Sequence, residues 1–202
     1  MLLKQLIDGV NVKEKLSFDN IEISSLEIDS RACSCGSLYF AISGTQVDGH
    51  NFAEQAVKNG AKAIVCEKKV VVSVPQIIVE DTRAAMSLIA ANFFMHPAKK
   101  LKMIGITGTN GKTSISYMLS AIAKKAKISC GVIGTSGISV DGKKLDIKIL
   151  TSTTPDPIQL QQALAQMVEE GANWCVMEVT AHALDLRKTV GINFASSGFT
   201  NL

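Results

Sequence analysis

Long hydrophobic runs are missing from this 202-residue sequence: nothing in it approaches the ~18 consecutive apolar residues of a membrane span. The opening residues, Met1-Leu2-Leu3-Lys4-Gln5-Leu6-Ile7-Asp8, reach an acid too early to form the apolar stretch of a secretory signal. A cytoplasmic protein with no membrane partner is therefore expected. A large excess of one charge is missing too. A formal net charge of +3 supplies no basic stripe of the kind that nucleic-acid binding needs, so that class of function is set aside. No repeat and no low-complexity stretch is present. The five cysteines (Cys33, Cys35, Cys66, Cys130 and Cys175) are odd in number and scattered, which points to reduced structural thiols instead of a disulfide framework. Cys33-Ser34-Cys35 has no second Cys/His pair at ligand spacing to complete a zinc site.

What remains is a globular balance, 47% apolar and 19% charged, long enough for one large domain or two modest ones. Short β-rich runs alternate with helical patterns. Strands are expected at Leu38–Ile42, Ala63–Val65 and Gln76–Val79. A short helix, Phe52–Lys58, ends at Gly60, and a second is capped by Asp81 or Thr82, with Ala85, Leu88, Ile89 and Phe93 on one stripe. That pattern stops at His96-Pro97, and Lys99–Lys102 reads as a linker. A second unit then opens with a strand, Leu101–Thr107, a glycine-rich turn, and a helix whose stripe is Ile115, Met118, Leu119, Ile122 and Ala126. Ile128–Ile133 is a strand. Ile138–Ile147 is a hairpin about Asp141-Gly142. Pro155 and Pro157 open a helix with Leu160, Ala163, Leu164, Met167 and Val168 inward and Gly171 past its end. Strands at Trp174–Val179 and Phe194–Phe199 follow, while Trp174 and the methionines of the helical stripes read as core. The fold class is α/β with a mainly parallel sheet, in two domains, 1–98 and 99–202.

The chemistry concentrates between Thr107 and Ser114. Gly108, Thr109, Asn110 and Gly111 form a loop whose backbone amides can converge on phosphate oxygens, and the helix that follows points its positive end at the same place. Lys112 can reach the outer phosphates of a nucleotide, the Thr113 hydroxyl can ligate Mg²⁺, and Ser114 closes the loop. The strict phosphate-loop pattern has a glycine where this chain has Ile106, with Gly108 in its place; the strand before and the amphipathic helix after supply the required context. Glu178, at the end of a strand beside this loop, is a candidate metal ligand.

Thr107-Gly108-Thr109-Asn110-Gly111-Lys112-Thr113 resembles the ATP loop of the Mur ligase family of peptidoglycan synthesis. Asp29-Ser30-Arg31, Gly36-Ser37-Leu38-Tyr39-Phe40-Ala41 and Asp48-Gly49-His50-Asn51-Phe52 resemble the family's N-terminal domain. Ser152-Thr153-Thr154-Pro155-Asp156-Pro157 and Met177-Glu178-Val179, then His182-Ala183-Leu184, resemble the branch that adds the third stem-peptide residue. The resemblance implies a small N-terminal α/β domain, 1–98, holding the UDP-muramoyl substrate, and an incomplete P-loop α/β ATPase domain, 99–202. It implies ATP and Mg²⁺ as cofactors, with small molecules (a UDP-muramoyl dipeptide and an amino acid) as partners of a monomer. An acyl phosphate would form on the D-glutamyl carboxylate, and the incoming amine would then displace phosphate. Lys112, Glu178 and His182 would be catalytic, with Thr113, Glu178 and His182 near metal. Ile28, Ser30, Thr45, Gln46, Val47, Ser152, Thr153, Thr154, Thr180 and Lys188 would contact substrate. From the residues alone, Thr153 and Thr154 read equally as helix N-caps, Asp29-Ser30-Arg31 as a turn with a salt bridge, and His182 as a helix-end histidine.

Three departures stand out. Thr180-Ala181 replaces the family's usual Ser-Ser, Leu186 replaces a glutamine, and Lys188 replaces an arginine unless a small shift brings Arg187 to that place. The resemblance also implies that later strands and a further domain lie beyond Leu202, so that these residues would be inactive alone. Alternatives are the family's D-Ala-D-Ala ligase, a folylpolyglutamate synthetase-like enzyme, or a module that binds a nucleotide or UDP-sugar without turnover.

Overall fold

The computed structural model describes residues 1–14, 21–44, 47–147 and 153–201. The chain divides into two compact units, Met1–Phe93 and Phe94–Leu202. Each has its own sheet.

The first unit begins with a single helical turn, α1 (Leu3–Leu6), and holds a parallel sheet in the order β1 (Ser25–Glu27), β2 (Ser37–Phe40), β3 (Ala61–Cys66), β4 (Gln76–Ile78). The strands are short and buried on both faces, as expected where helices cover a parallel sheet. Tyr39, Ile64, Cys66 and Ile78 pack toward α2 (Ala53–Lys58) through Ala53 and Ala56. Leu38, Phe40, Ala63 and Val65 alternate with them and are fully buried, and α3 (Thr82–Phe93) packs on β3 with Met86, Ile89 and Ala90 buried. Asp81 caps α3 by accepting from the Ala84 amide at 3.0 Å. The helix ends at Phe93 because Met95 and His96 both turn left-handed ahead of Pro97.

The second unit is a six-stranded sheet between helices, ordered β10 (Ser196–Phe199), β5 (Lys102–Thr107), β9 (Trp174–Glu178), β6 (Cys130–Gly134), β7 (Gly137–Val140), β8 (Lys143–Lys144). The first four are parallel, β6–β7–β8 run antiparallel, and the turn from β7 to β8 has Asp141 and Gly142 both at positive φ. Alternation splits the core in two. Met103, Ile133, Cys175 and Met177 face α5 (Pro157–Glu169) with Leu160, Ala163, Leu164 and Met167. Ile104, Ile106, Cys130 and Val176 face α4 (Lys112–Lys125) with Ala123, Ile115 and Leu119. Pro157 opens α5, and Gly171 follows its end at φ +83°. A short α6 (Ala181–Asp185) leaves the carboxyl end of β9.

Several expectations need correction. Met118 and Ile122 on α4 are each 63% exposed, and Ala126 is exposed as well, while Ser116 and Ala123 are buried. The buried stripe is rotated toward the small residues, because a helix that lies close over three strands accepts Ser and Ala at the contact. Leu88 and Phe93 on α3 are only half-buried, and Met86 and Ala90 carry that contact. The Lys99–Lys102 linker is instead a 3₁₀ turn, Pro97–Lys100, running directly into β5. Trp174 is half-buried, with the Lys102 ammonium 5.1 Å above its ring. Neither Thr153 nor Thr154 caps α5; Asp156 occupies the N-cap position. All five cysteines are free thiols, and burial pushes Cys33 and Cys66 up to about 11. No helix among the described residues is long and apolar enough to cross a membrane.

Candidate nucleotide and substrate site

The glycine-rich loop leaves the carboxyl end of β5 and enters α4, next to the strand pair where ligands gather in open α/β sheets. Gly108 and Gly111 have φ of +131° and +83°, which only glycine adopts without strain. Lys112 opens α4, and its ammonium folds back to donate to the Gly108 oxygen at 2.6 Å and the Thr109 oxygen at 3.1 Å. Two residues that the sequence did not single out brace the loop. Asn201 accepts from the Thr109 and Asn110 amides at 3.1 and 3.0 Å, and the Thr200 hydroxyl donates to the Asn110 oxygen. They are there because β10 pairs in parallel with β5, so both strands end at the same level.

Glu178 ends β9 beside β5 and is 1% exposed. Its carboxylate accepts from the Thr113 hydroxyl at 3.1 Å, the Thr135 hydroxyl at 3.2 Å and the Thr135 amide at 3.3 Å. A Cβ on Gly134 would overlap this carboxylate, so glycine is what lets the turn after β6 approach. Among the described residues Glu178 has no ion-pair partner, and no group of three His, Cys, Asp or Glu assembles around it. Mg²⁺ commonly takes one or two carboxylates, completing its shell with water and phosphate oxygens, so one carboxylate flanked by hydroxyls suits it. Thr135, like Gly134, had no motif to announce it.

The Thr153 hydroxyl lies 3.1 Å from that of Thr135. Thr154 is buried, donating its hydroxyl to the Glu178 backbone oxygen at 3.1 Å and accepting from the Thr180 amide at 3.2 Å. Thr180 uses its own hydroxyl to cap α6, accepting from the Ala183 amide at 3.1 Å. Lys188 is buried and bonded inward. His182 and Ala181 are exposed on the first turn of α6, Ser114 is exposed on α4, and Leu186 is half-buried. Ser152 lies outside the described residues.

In the first unit, Ile28 and Ser30 follow β1 at the carboxyl edge of the sheet, and Val47 precedes Asp48, which bridges to Ser43 beyond the end of β2. Thr45 and Gln46 lie outside the described residues. Ile28 and Val47 are exposed, whereas Ser30 is buried. Asp29 and Arg31 form a solvent-exposed forked pair, the arginine holding the carboxyl below its usual range. The Asp48–Phe52 segment is a brace. His50 is buried, with Nδ1 2.6 Å from Asp48 and Nε2 accepting from the Glu67 amide at 3.1 Å, which makes Nδ1 the protonated nitrogen.

Comparison with known proteins falls on the same two units. A model of the Mur ligase middle domain matches residues 106–202, and one for the Mur ligase family, catalytic domain, matches residues 22–94. The chain belongs to the Mur ligase family. It is 43% identical over 183 residues to the UDP-N-acetylmuramoyl-L-alanyl-D-glutamate–2,6-diaminopimelate ligase of Geobacillus thermodenitrificans, covering 91% of this chain and 37% of that one. It is 41% identical over 201 residues to the same-named ligase of Bacillus licheniformis, covering 100% of this chain and 41% of that one. A solved structure of a UDP-N-acetylmuramoyl-L-alanyl-D-glutamate–2,6-diaminopimelate ligase superposes with a TM-score of 0.83 at 26% identity, over 98% of this chain and 40% of that one. The chain thus spans about two fifths of the length of these Mur ligases.

Proposed function

We propose that this chain is the substrate- and ATP-handling front of a cytoplasmic, monomeric ligase that joins 2,6-diaminopimelate to UDP-N-acetylmuramoyl-L-alanyl-D-glutamate. The observation that carries the reading is the meeting of Thr113 and Glu178 at the mouth of the glycine loop. Relatives about 40% identical bear that activity in their names.

On this reading the loop amides and Lys112 hold the phosphates of ATP, with the lysine exchanging its loop carbonyls for phosphate oxygens. Thr113 and Glu178 would hold Mg²⁺, which supplies charge neutralisation to the phosphoryl group in transit. His182 lies in the first turn of α6, four residues after Glu178, and is assigned to the same region. Ile28, Ser30, Thr45, Gln46 and Val47 would receive the uridine end of the substrate, and Ser152, Thr153 and Thr154 its muramoyl-peptide end. The glutamyl carboxylate takes the γ-phosphoryl group and ADP leaves. The amine then attacks the acyl carbon and phosphate leaves. Positioning dominates such a reaction, so turnover needs the parts of the relatives that this chain does not span.

The test uses the full-length protein with ATP, Mg²⁺, UDP-N-acetylmuramoyl-L-alanyl-D-glutamate and either diaminopimelate or L-lysine. Phosphate release and product mass should show an amide with diaminopimelate. Turnover with lysine alone would replace the amine, and absence of any amide would overturn the reading.

A further inference from the structure

Lys188 falls where the family resemblance implies an arginine on substrate, but its ammonium points into the protein. The side chain is 6% exposed, and Nζ donates to Asp156 Oδ1 at 2.8 Å and to the Thr154 backbone oxygen at 3.2 Å. The backbone explains this direction. At the end of α6 the Lys188 amide reaches back to the Ala183 oxygen at 2.9 Å and the Arg187 amide to the Leu184 oxygen at 3.0 Å, with Arg187 at φ +57°. This is a Schellman turn, which places the residue after the left-handed one against the helix it has just left. Arg187 therefore takes the exposed left-handed position and Lys188 the buried one, and the register does not let the two exchange. A hydrophobic residue usually fills that buried position. Lysine there needs a counter-charge, and Asp156 provides it.

Both acceptors of Lys188 belong to the loop that carries Thr153. That loop is held at two further points, by Thr154 on the Glu178 and Thr180 backbones and by Thr153 on Thr135. We propose that Lys188 is a positioning residue: through Asp156 and Thr154 it fixes the hydroxyl of Thr153 against that of Thr135, which bonds the Glu178 carboxylate, and it does not itself touch substrate. The inference rests on the ligase reading of this site. Swinging Lys188 out to a substrate carboxylate would break its ion pair with Asp156, so the latch and the contact are exclusive roles.

In the full-length ligase, Lys188→Met and Asp156→Ala should each lower kcat/KM for the UDP-linked substrate about tenfold or more, with KM for ATP little changed. The double variant should be no worse than the poorer single one, because both remove the same latch. Lys188→Arg, whose guanidinium still reaches a carboxylate, should retain most activity. Amide exchange at Thr180, whose N–H donates to Thr154, should quicken in the two single variants and not in Lys188→Arg. An active Asp156→Ala beside a crippled Lys188→Met would assign Lys188 to substrate and overturn the latch. A lowered melting temperature with unchanged kinetics would also overturn it. A parent enzyme with no ligase activity would sink the functional reading alone, while Thr180 exchange would still report on the latch. Should Lys188→Met not fold, Asp156→Ala and Lys188→Arg carry the same comparison.

Discussion

The Thr113 hydroxyl and the Glu178 carboxylate, 65 positions apart in the chain, meet at 3.1 Å. One stands in the first turn of the helix after the glycine loop, the other closes the neighbouring strand, and parallel pairing of β5 with β9 brings their ends together. Replacing Glu178 with Gln keeps size and removes charge. Mg-ATP binding should then require roughly tenfold more Mg²⁺, read by calorimetric titration at several magnesium concentrations. An unchanged magnesium profile would return Glu178 to a structural role.

Gly134 provides a steric test of the same site. Its φ is not in the left-handed region, so alanine adds no backbone strain, yet the new methyl group would overlap the Glu178 carboxylate. Gly134→Ala should therefore displace Glu178 and weaken Mg-ATP binding, at a cost of about 1–3 kcal/mol in stability. Wild-type binding in the variant would mean that the carboxylate position is unimportant.

The loop, the flanking β5 and α4, and the Pro157-to-Gly171 helix were all legible, because phosphate loops and helix ends are written in local residue choices. Thr135, Gly134, Thr200 and Asn201 were not, since their roles arise from strand order, which places distant strand ends together. The inward direction of Lys188 was not legible for a related reason: the left-handed turn at Arg187 decides which way it faces. The phase of α4 was misread because hydrophobicity marks large residues, and here small ones make the contact.

That phase gives a stability test. Met118→Ala and Ile122→Ala should each change stability by no more than ~0.5 kcal/mol, as expected of exposed positions. Ala123→Leu should destabilise by ~1–3 kcal/mol, because it crowds a buried contact against Ile104 and Val176. Denaturant unfolding followed by Trp174 fluorescence reads this unit, since the first contains no tryptophan. A large loss at Met118 would restore the stripe expected from the sequence.

The brace in the first unit has a pH signature. The Lys68 ammonium and then the His50 ring hold the Asp48 carboxyl well below the usual carboxylate range. A lowered folded-state value contributes stability above the unfolded value, about 3.9, that is lost as pH falls through the folded one. Wild type should thus exceed Asp48→Asn in protection of the Glu67 amide by a steady margin from pH 7 to 5, narrowing below about pH 4. A margin independent of pH down to strongly acid conditions would place the stabilisation elsewhere.

The most direct test of the account is calorimetric titration of Mg-ATP into the protein and into Lys112→Ala. The loop reading expects the variant to bind about ten- to a hundredfold more weakly, the loss of a charge-assisted contact worth ~1.5–3 kcal/mol, with an unchanged circular dichroism spectrum. Equal affinity of the two proteins for Mg-ATP would contradict it.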